Sequence, residues 1–285
     1  MSTDTRLSAA SSGERAIARA ATDQTAVLIG RIGFAARGVV YVIVGWLALL
    51  TAFGSGAGAP DKQTALEAIS QLPQGTVLLG LVAVGLFGYA GWSLIRGLFD
   101  PERLGHDAKA LFARAGSVVA GLSYFGLALA AAQFALGSGT AGKGSDASTQ
   151  DATARLLDAP FGPPLVIAIG AIMLGIAAVE FARAYTASFL KDLSLGAVGA
   201  EVRRWVERVG RMGLAARGVV FALIGVFLIQ ASRQRDAGQA VGLGGALQKV
   251  AEQPFGQILL GVVAAGLCMY GLFSLVQARY GRLKH

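Results

Sequence analysis

Residues 30–53 read GRIGFAARGVVYVIVGWLALLTAF. From position 32 onward the stretch carries a single charge, Arg37. About 20 apolar residues, each rising about 1.5 Å, cross the ~30 Å of hydrocarbon in a bilayer, so this is a membrane-spanning helix. Five more stretches of the kind follow, at 76–95, 115–136, 165–181, 212–231 and 256–276. The fourth is the shortest. Pro160, Pro163 and Pro164 mark its start, since a first helical turn has no use for the N–H that proline lacks, and it has room to extend upstream to Phe161.

Composition points the same way. Of 285 residues, 54% are hydrophobic and 15% charged, whereas soluble domains carry about 25% charged residues. The chain reads as an all-α integral membrane protein with six transmembrane helices. Two histidines, His106 and His285, one cysteine, Cys268, and no asparagine leave little for a metal centre or an activated nucleophile. We therefore expect no metal, no cofactor, no catalytic residue and no enzymatic activity. The first 26 residues hold Arg6, Arg15 and Arg19 but no continuous apolar run. A cleaved signal peptide is not expected, and insertion starts with the first span.

A net charge of +8 would suggest nucleic acid in a soluble domain. Here the bases flank the apolar stretches and are not interleaved with exposed aromatics, so no nucleic-acid partner is expected. Nineteen basic residues fall on the side that holds both termini. Six fall opposite: Lys62, Lys143, Arg155, Arg233, Arg235 and Lys249. With the acidic residues included, the two sides carry +9 and −1. The positive-inside rule then places both termini in the cytoplasm.

Internal repetition is the strongest pattern in the chain. Residues 30–40, GRIGFAARGVV, recur at 210–220 as GRMGLAARGVV, identical at nine of eleven positions. In a middle copy Arg114, Gly116, Gly121 and Tyr124 match Arg31, Gly33, Gly38 and Tyr41, but Ala120 stands where Arg37 does. The second halves repeat as well: Pro73 and Gly75 recur as Pro160 and Gly162 and as Pro254 and Gly256. Ahead of them, Ala65, Leu66 and Ile69 are answered by Ala246, Leu247 and Val250 in a short helix-forming segment. The unit is span, short outer helix, span. It gives an N-terminal segment 1–29 and repeats 30–105, 106–192 and 193–285, the third opening with an interfacial helix. Two spans per unit give every copy the same orientation, so the pseudo-symmetry axis lies along the membrane normal. The simplest packing is a ring of three hairpins, with a linear or offset arrangement as the alternative.

RIGFAARGVVYVIVG in the first half and QPFGQILLGVVAAGLCMYGLFSLVQARY in the second resemble the DUF1206 family of prokaryotic membrane proteins, built from repeated two-helix units. The resemblance covers about residues 25–283. It implies a six-helix protein of the bacterial cytoplasmic membrane, of unknown function, and carries over no catalytic residue.

Residues 137–145, GSGTAGKGS, come close to a phosphate loop but place Gly144 where the metal-binding hydroxyl belongs, and no buried strand precedes them. They read as a flexible linker, as does GSGAGA at 54–59. Glycines in the spans suit close helix packing, with Gly116/Ala120, Gly126/Ala130 and Gly261/Ala265 as candidate small-residue pairs.

Three groups of residues are candidates for function. Arg37 and Arg217 lie about five residues, or ~8 Å, inside their spans. Glu180 lies at similar depth on a helix running the other way, with Arg183 a turn further out. Ser93 and Ser274 are its equivalents, so the copy that lacks the arginine has the carboxylate. Charges at such depth pair or serve function, and these four form a candidate polar layer: a structural ion pair, a proton or anion site, or a headgroup contact. Tyr41, Tyr89, Tyr124 and Tyr270 lie inside spans, where a phenol needs a partner. They are candidates for interhelical hydrogen bonds or for lining a cavity. Trp205 with Val198, Val202, Val206 and Val209 makes an apolar stripe opposite Arg203, Arg204, Glu207 and Arg208. That pattern is expected of an interfacial helix whose Arg203, Arg204, Trp205 and Arg208 anchor the fifth span or hold anionic lipid. The function this favours is binding or transport of a small molecule, ion or lipid, with anionic headgroups on the cytoplasmic side as partners. The alternative is a non-catalytic structural or accessory subunit with a membrane protein partner.

Overall fold

The structure, a computed structural model, describes residues 28, 30–54, 60–99, 108–138, 145–196 and 198–281. The N-terminal segment and the two glycine-rich linkers, at 55–59 and 139–144, lie outside them. Nine α-helices occur among the described residues: α1 (Gly30–Ala52), α2 (Lys62–Ser70), α3 (Gly75–Phe99), α4 (Ala108–Ala135), α5 (Ser145–Leu157), α6 (Gly162–Thr186), α7 (Ala200–Gln234), α8 (Leu243–Ala251) and α9 (Gly256–Tyr280). Six of them, α1, α3, α4, α6, α7 and α9, are long and apolar enough to cross a bilayer. The protein is an all-helical, multi-pass membrane protein of three repeats. Helix α6 reaches Gly162 upstream and spans 25 residues, as long as α3 and α9. Its first turn contains Pro163 and Pro164, as their missing N–H groups allow.

The prolines and glycines that recur in the sequence make one corner three times. Gln74, Phe161 and Phe255 each adopt a left-handed conformation, with φ of 64°, 62° and 61°. Each is followed by the glycine that opens a span. The N–H groups of Gly75, Gly162 and Gly256 donate to the carbonyls of Leu72, Ala159 and Gln253 at 2.8, 2.9 and 2.7 Å. A Cβ on these glycines would collide with the carbonyl oxygens of Ile69, Leu156 and Ala251, at or beside the ends of the preceding short helices. The glycine is there for close approach; the strained φ belongs to its predecessor. The short helices are pulled against the bundle, with Ala65, Leu66, Ile69, Ala246, Leu247 and Val250 all buried.

The spans pack in chain order and the order closes on itself. Helix α1 meets α3 where a Cβ on Gly33 would touch Tyr89 and one on Gly85 would touch Ala36. Helix α3 meets α4 at Gly97 and Gly121, and α6 meets α7 at Gly170 and Gly225. Helix α7 meets α9 where Gly213 faces Tyr270 and Gly266 faces Ala216. Helix α9 returns to α1, Gly271 against Val42 and Gly45 against Cys268. The small-residue pairs singled out above are not the ones used: Gly126 has nothing within 4 Å of a would-be Cβ, and Gly261 has only Ala52, at 3.9 Å. Glycine serves here where it faces a neighbouring backbone, and Gly126 is exposed.

One contact in the ring is loose. Helices α4 and α6, the two spans of the middle repeat, meet far less extensively than α7 and α9. Gly116 occupies the place of Gly33 and Gly213, yet a Cβ on it would reach only the tip of Ile176, at 3.4 Å. The cause is in the sequence. Gly85 and Gly266 let their hairpins close, and the middle repeat has Ile172 at that position. A branched side chain in place of a hydrogen holds the two helices apart.

The interfacial helix expected to open the third repeat is not a separate element. Helix α7 is continuous over 35 residues, about 52 Å at 1.5 Å per residue. Val206 and Val209 are buried, and Gly210 takes the ring of Phe189 against its backbone. Val198 precedes the helix, and Val202 and Trp205 are exposed. No proline or cap interrupts 200–213, and packing against the 3-10 turn Ser188–Asp192 carries the helix past the length a bilayer requires.

Candidate functional site: a cationic, tyrosine-lined interior

Arg37 and Tyr41 stand one turn apart on α1 and share a face. Both are buried. Arg37 donates to the Tyr89 hydroxyl and to Gln277 Oε1, each at 2.8 Å. Its guanidinium lies 4.8 Å from the Phe34 ring centre, 5.0 Å from that of Tyr89 and 5.2 Å from that of Tyr270. Such distances are cation–π contacts.

Arg217 holds the equivalent position on α7 with different partners. It pairs with Glu180 across the α6–α7 interface, and both side chains are nearly excluded from the surface. Its guanidinium lies 4.4 Å from the Phe221 ring centre and 4.9 Å from that of Tyr270. The ring of Tyr270 is thus shared by both guanidiniums. It also packs edge-on against Tyr41 at 4.8 Å, and Tyr89 does the same with Tyr124 at 4.8 Å. The four tyrosines singled out by sequence therefore meet. The Tyr124 hydroxyl lies beside that of Tyr41 but makes no hydrogen bond of normal geometry.

A third cation joins from the opposite end. Lys62, the first residue of α2, is half-buried and extends its ammonium to 5.0 Å from the Tyr124 ring centre and 5.7 Å from that of Tyr41. The N-terminus of α2 is fixed by Asp61, whose carboxylate accepts from the Thr64 N–H at 2.8 Å. Among the described residues two guanidiniums and one ammonium thus converge with two buried carboxylates, Glu180 on Arg217 and Asp61 at the start of α2. Arg37 Nε, Arg217 Nε and Glu180 Oε2 are buried without hydrogen-bond partners among the described residues.

Arg183 is not part of this layer. It is a third exposed and pairs with Asp192 at 2.9 Å, because a further turn along α6 carries it past the spans to the 3-10 turn. Arg203, Arg204, Trp205 and Arg208 all lie on the projecting end of α7 and do not approach the interior. Arg204, Trp205 and Arg208, with Glu201 and Val202, line an open depression of about 470 Å³; Arg203 is exposed but does not line it.

The family model described as Domain of Unknown Function (DUF1206) matches three segments, 32–100, 115–187 and 212–281. The chain belongs to the DUF1206 family. The matched segments are the three hairpins of the ring. An uncharacterized protein of Bacillus subtilis (strain 168), YxxB, is 33% identical over 251 residues, covering 88% of this chain and 90% of that protein. No solved structure matches.

In this DUF1206 protein the interior uses residues that sequence reasoning passed over. Lys62 was counted with the outer charges, and nothing in its neighbourhood signals that α2 tips it inward. Gln277 had a usable signal: its repeat equivalents are Arg96 and Arg183, and the one uncharged copy is the one that faces a buried arginine. The middle repeat replaces both members of the Arg–Tyr contact, with Ala120 for Arg37 and Ile176 for Tyr89.

Proposed function

We propose that this protein is a non-catalytic binding or transport protein of the bacterial cytoplasmic membrane, with both termini cytoplasmic, and that its ligand is an anion held in the interior beside Arg37, Lys62 and the four tyrosines. The observation that carries this is the charge count of the interior. Among the described residues three cations, Arg37, Arg217 and Lys62, meet two carboxylates, Glu180 and the Asp61 that caps α2, and Arg37, 4% exposed, has no carboxylate partner. An uncompensated buried charge costs several kcal/mol, and charges at membrane depth are retained where a ligand or a pathway uses them. Cation–π contacts and phenol hydroxyls orient the guanidiniums without neutralising them, so the field remains available to an anion. Arg204, Trp205 and Arg208 on the projecting end of α7 suit contact with anionic headgroups on the cytoplasmic side.

The test is calorimetry on the purified full chain with two probes, inorganic phosphate and dihexanoyl phosphatidylglycerol. At least one should bind, and Arg37→Gln should weaken that binding by about tenfold, equivalent to about 1.4 kcal/mol. Lys62→Met, at a half-buried position, should weaken it in the same direction. If neither probe binds, or both variants bind as the unaltered chain does, the proposal falls.

A further inference from the structure

The loose hairpin bears on where the anion comes from. The middle repeat is bulkier where the other hairpins touch, with Val119 and Ile172 in place of Ala36 and Gly85, and smaller along the rest of the α4 face. Val40 and Val220 are buried, and their equivalent Ser123 is exposed. Ile43 and Leu223 pack against the core, and their equivalent is Gly126, which is exposed with nothing within 4 Å of a would-be Cβ. Leu47 and Phe227 become Ala130. Across from these, Ile169, Ile172 and Ile176 of α6 are half-buried. The result is a cleft between two spans, open toward lipid and walled by small and apolar side chains. Its two helices present Tyr124 and Glu180 to the interior, next to the cations.

We infer that the anion is the headgroup of a membrane amphiphile, an acyl-chain phosphate ester, whose chain lies in the cleft between α4 and α6 while its phosphate meets the interior cations. This rests on the anion-binding function proposed above. An apolar cleft facing lipid accepts a hydrocarbon chain without desolvating any charge. The positive interior at its inner end selects an anionic headgroup over a zwitterionic one, since electrostatic complementarity decides between partners of like shape. A water-soluble anion would gain nothing from this opening. The charge imbalance and the opening then have one explanation, and they occur in one molecule because the middle repeat has lost the Arg–Tyr contact and the hairpin glycine together.

The experiment fills the cleft with the side chains that the third repeat carries at the same positions: Ser123→Val, Gly126→Leu and Ala130→Phe in one chain. These positions are exposed or half-buried, so the variant should fold. A thermal unfolding midpoint no lower than that of the unaltered chain checks this. The probes are dioleoyl phosphatidylglycerol in nanodiscs, dioleoyl phosphatidylcholine as the zwitterionic control, and inorganic phosphate. The expected result is selective binding of the phosphatidylglycerol, weakened about tenfold in the filled variant, with the response to inorganic phosphate unchanged. Native mass spectrometry should find an anionic phospholipid retained by the unaltered chain and absent from the filled one. Equal binding of phosphatidylglycerol by both chains overturns the inference, as does equal binding of the two lipids. Arg37-dependent binding of inorganic phosphate alone overturns it too, while leaving the anion site standing. Loss of all Arg37-dependent binding removes the proposed function as well.

Discussion

Tyr270 is the residue on which the interior turns. Its ring takes a guanidinium from each of two repeats, 5.2 and 4.9 Å from its centre, and so links the Arg37 cluster to the Arg217–Glu180 pair. In that pair a buried carboxylate meets a buried guanidinium. Removing its negative member leaves a buried guanidinium without compensation, so Glu180→Gln should destabilise the protein in detergent by about 3–5 kcal/mol. Arg217→Gln made together with it should recover part of the loss, because two contacting residues act non-additively. Thermal unfolding of the three variants measures the coupling, and simple additivity of the two single losses would show that the pair contributes nothing. Arg37, Arg217 and Glu180 were legible in the sequence because a charge within an apolar run has few roles. Lys62 was not, because its role depends on how α2 tips, and no local pattern carries that fact; Gln277 is legible only when the three repeats are compared, as the uncharged counterpart of Arg96 and Arg183.

The three corners before α3, α6 and α9 show how a repeated motif becomes a repeated geometry. Each needs hydrogen in place of a side chain at Gly75, Gly162 and Gly256, where a Cβ would enter the carbonyl of the short helix. Gly256→Ala should therefore lower stability by about 1–3 kcal/mol, the usual effect of overpacking. Gly80→Ala, at a helical position with nothing within 4 Å, should raise it by about 0.4–1 kcal/mol through the unfolded chain. Chemical denaturation of both variants decides the matter, and equal effects would show that the corner tolerates a side chain. The corners were visible as Pro-x-Gly repeats before their conformation was known. The continuity of α7 was not, because a stripe of Val202, Trp205, Val206 and Val209 reads equally well as a helix lying on the membrane or as one standing out of it. Phe189, in the 3-10 turn just before the helix, determines which.

At the scale of the whole molecule, the count of the spans and the threefold repeat follow from apolar runs and internal identity alone. The closed order and the splayed middle hairpin required the structure, since they depend on which glycine meets which backbone. If both termini are cytoplasmic, a reporter fused after Phe99 should be cytoplasmic and one fused after Ser145 external; the reverse pattern would invert the orientation. The ring also contains the same kind of junction three times, between α3 and α4, between α6 and α7, and between α9 and α1. Peptide connects the first two directly, whereas the third joins the last span to the first with no connection between them, through Gly271 on Val42 and Arg37 on Gln277. Continuity of the chain is therefore not what holds neighbouring repeats together. A circular permutant, its original ends joined by a flexible linker and new ends opened between the first and second repeats, should insert and keep its unfolding midpoint. The position at which the chain starts would then be an accident of ancestry, and three separate copies of one hairpin would be a workable forerunner of this fold.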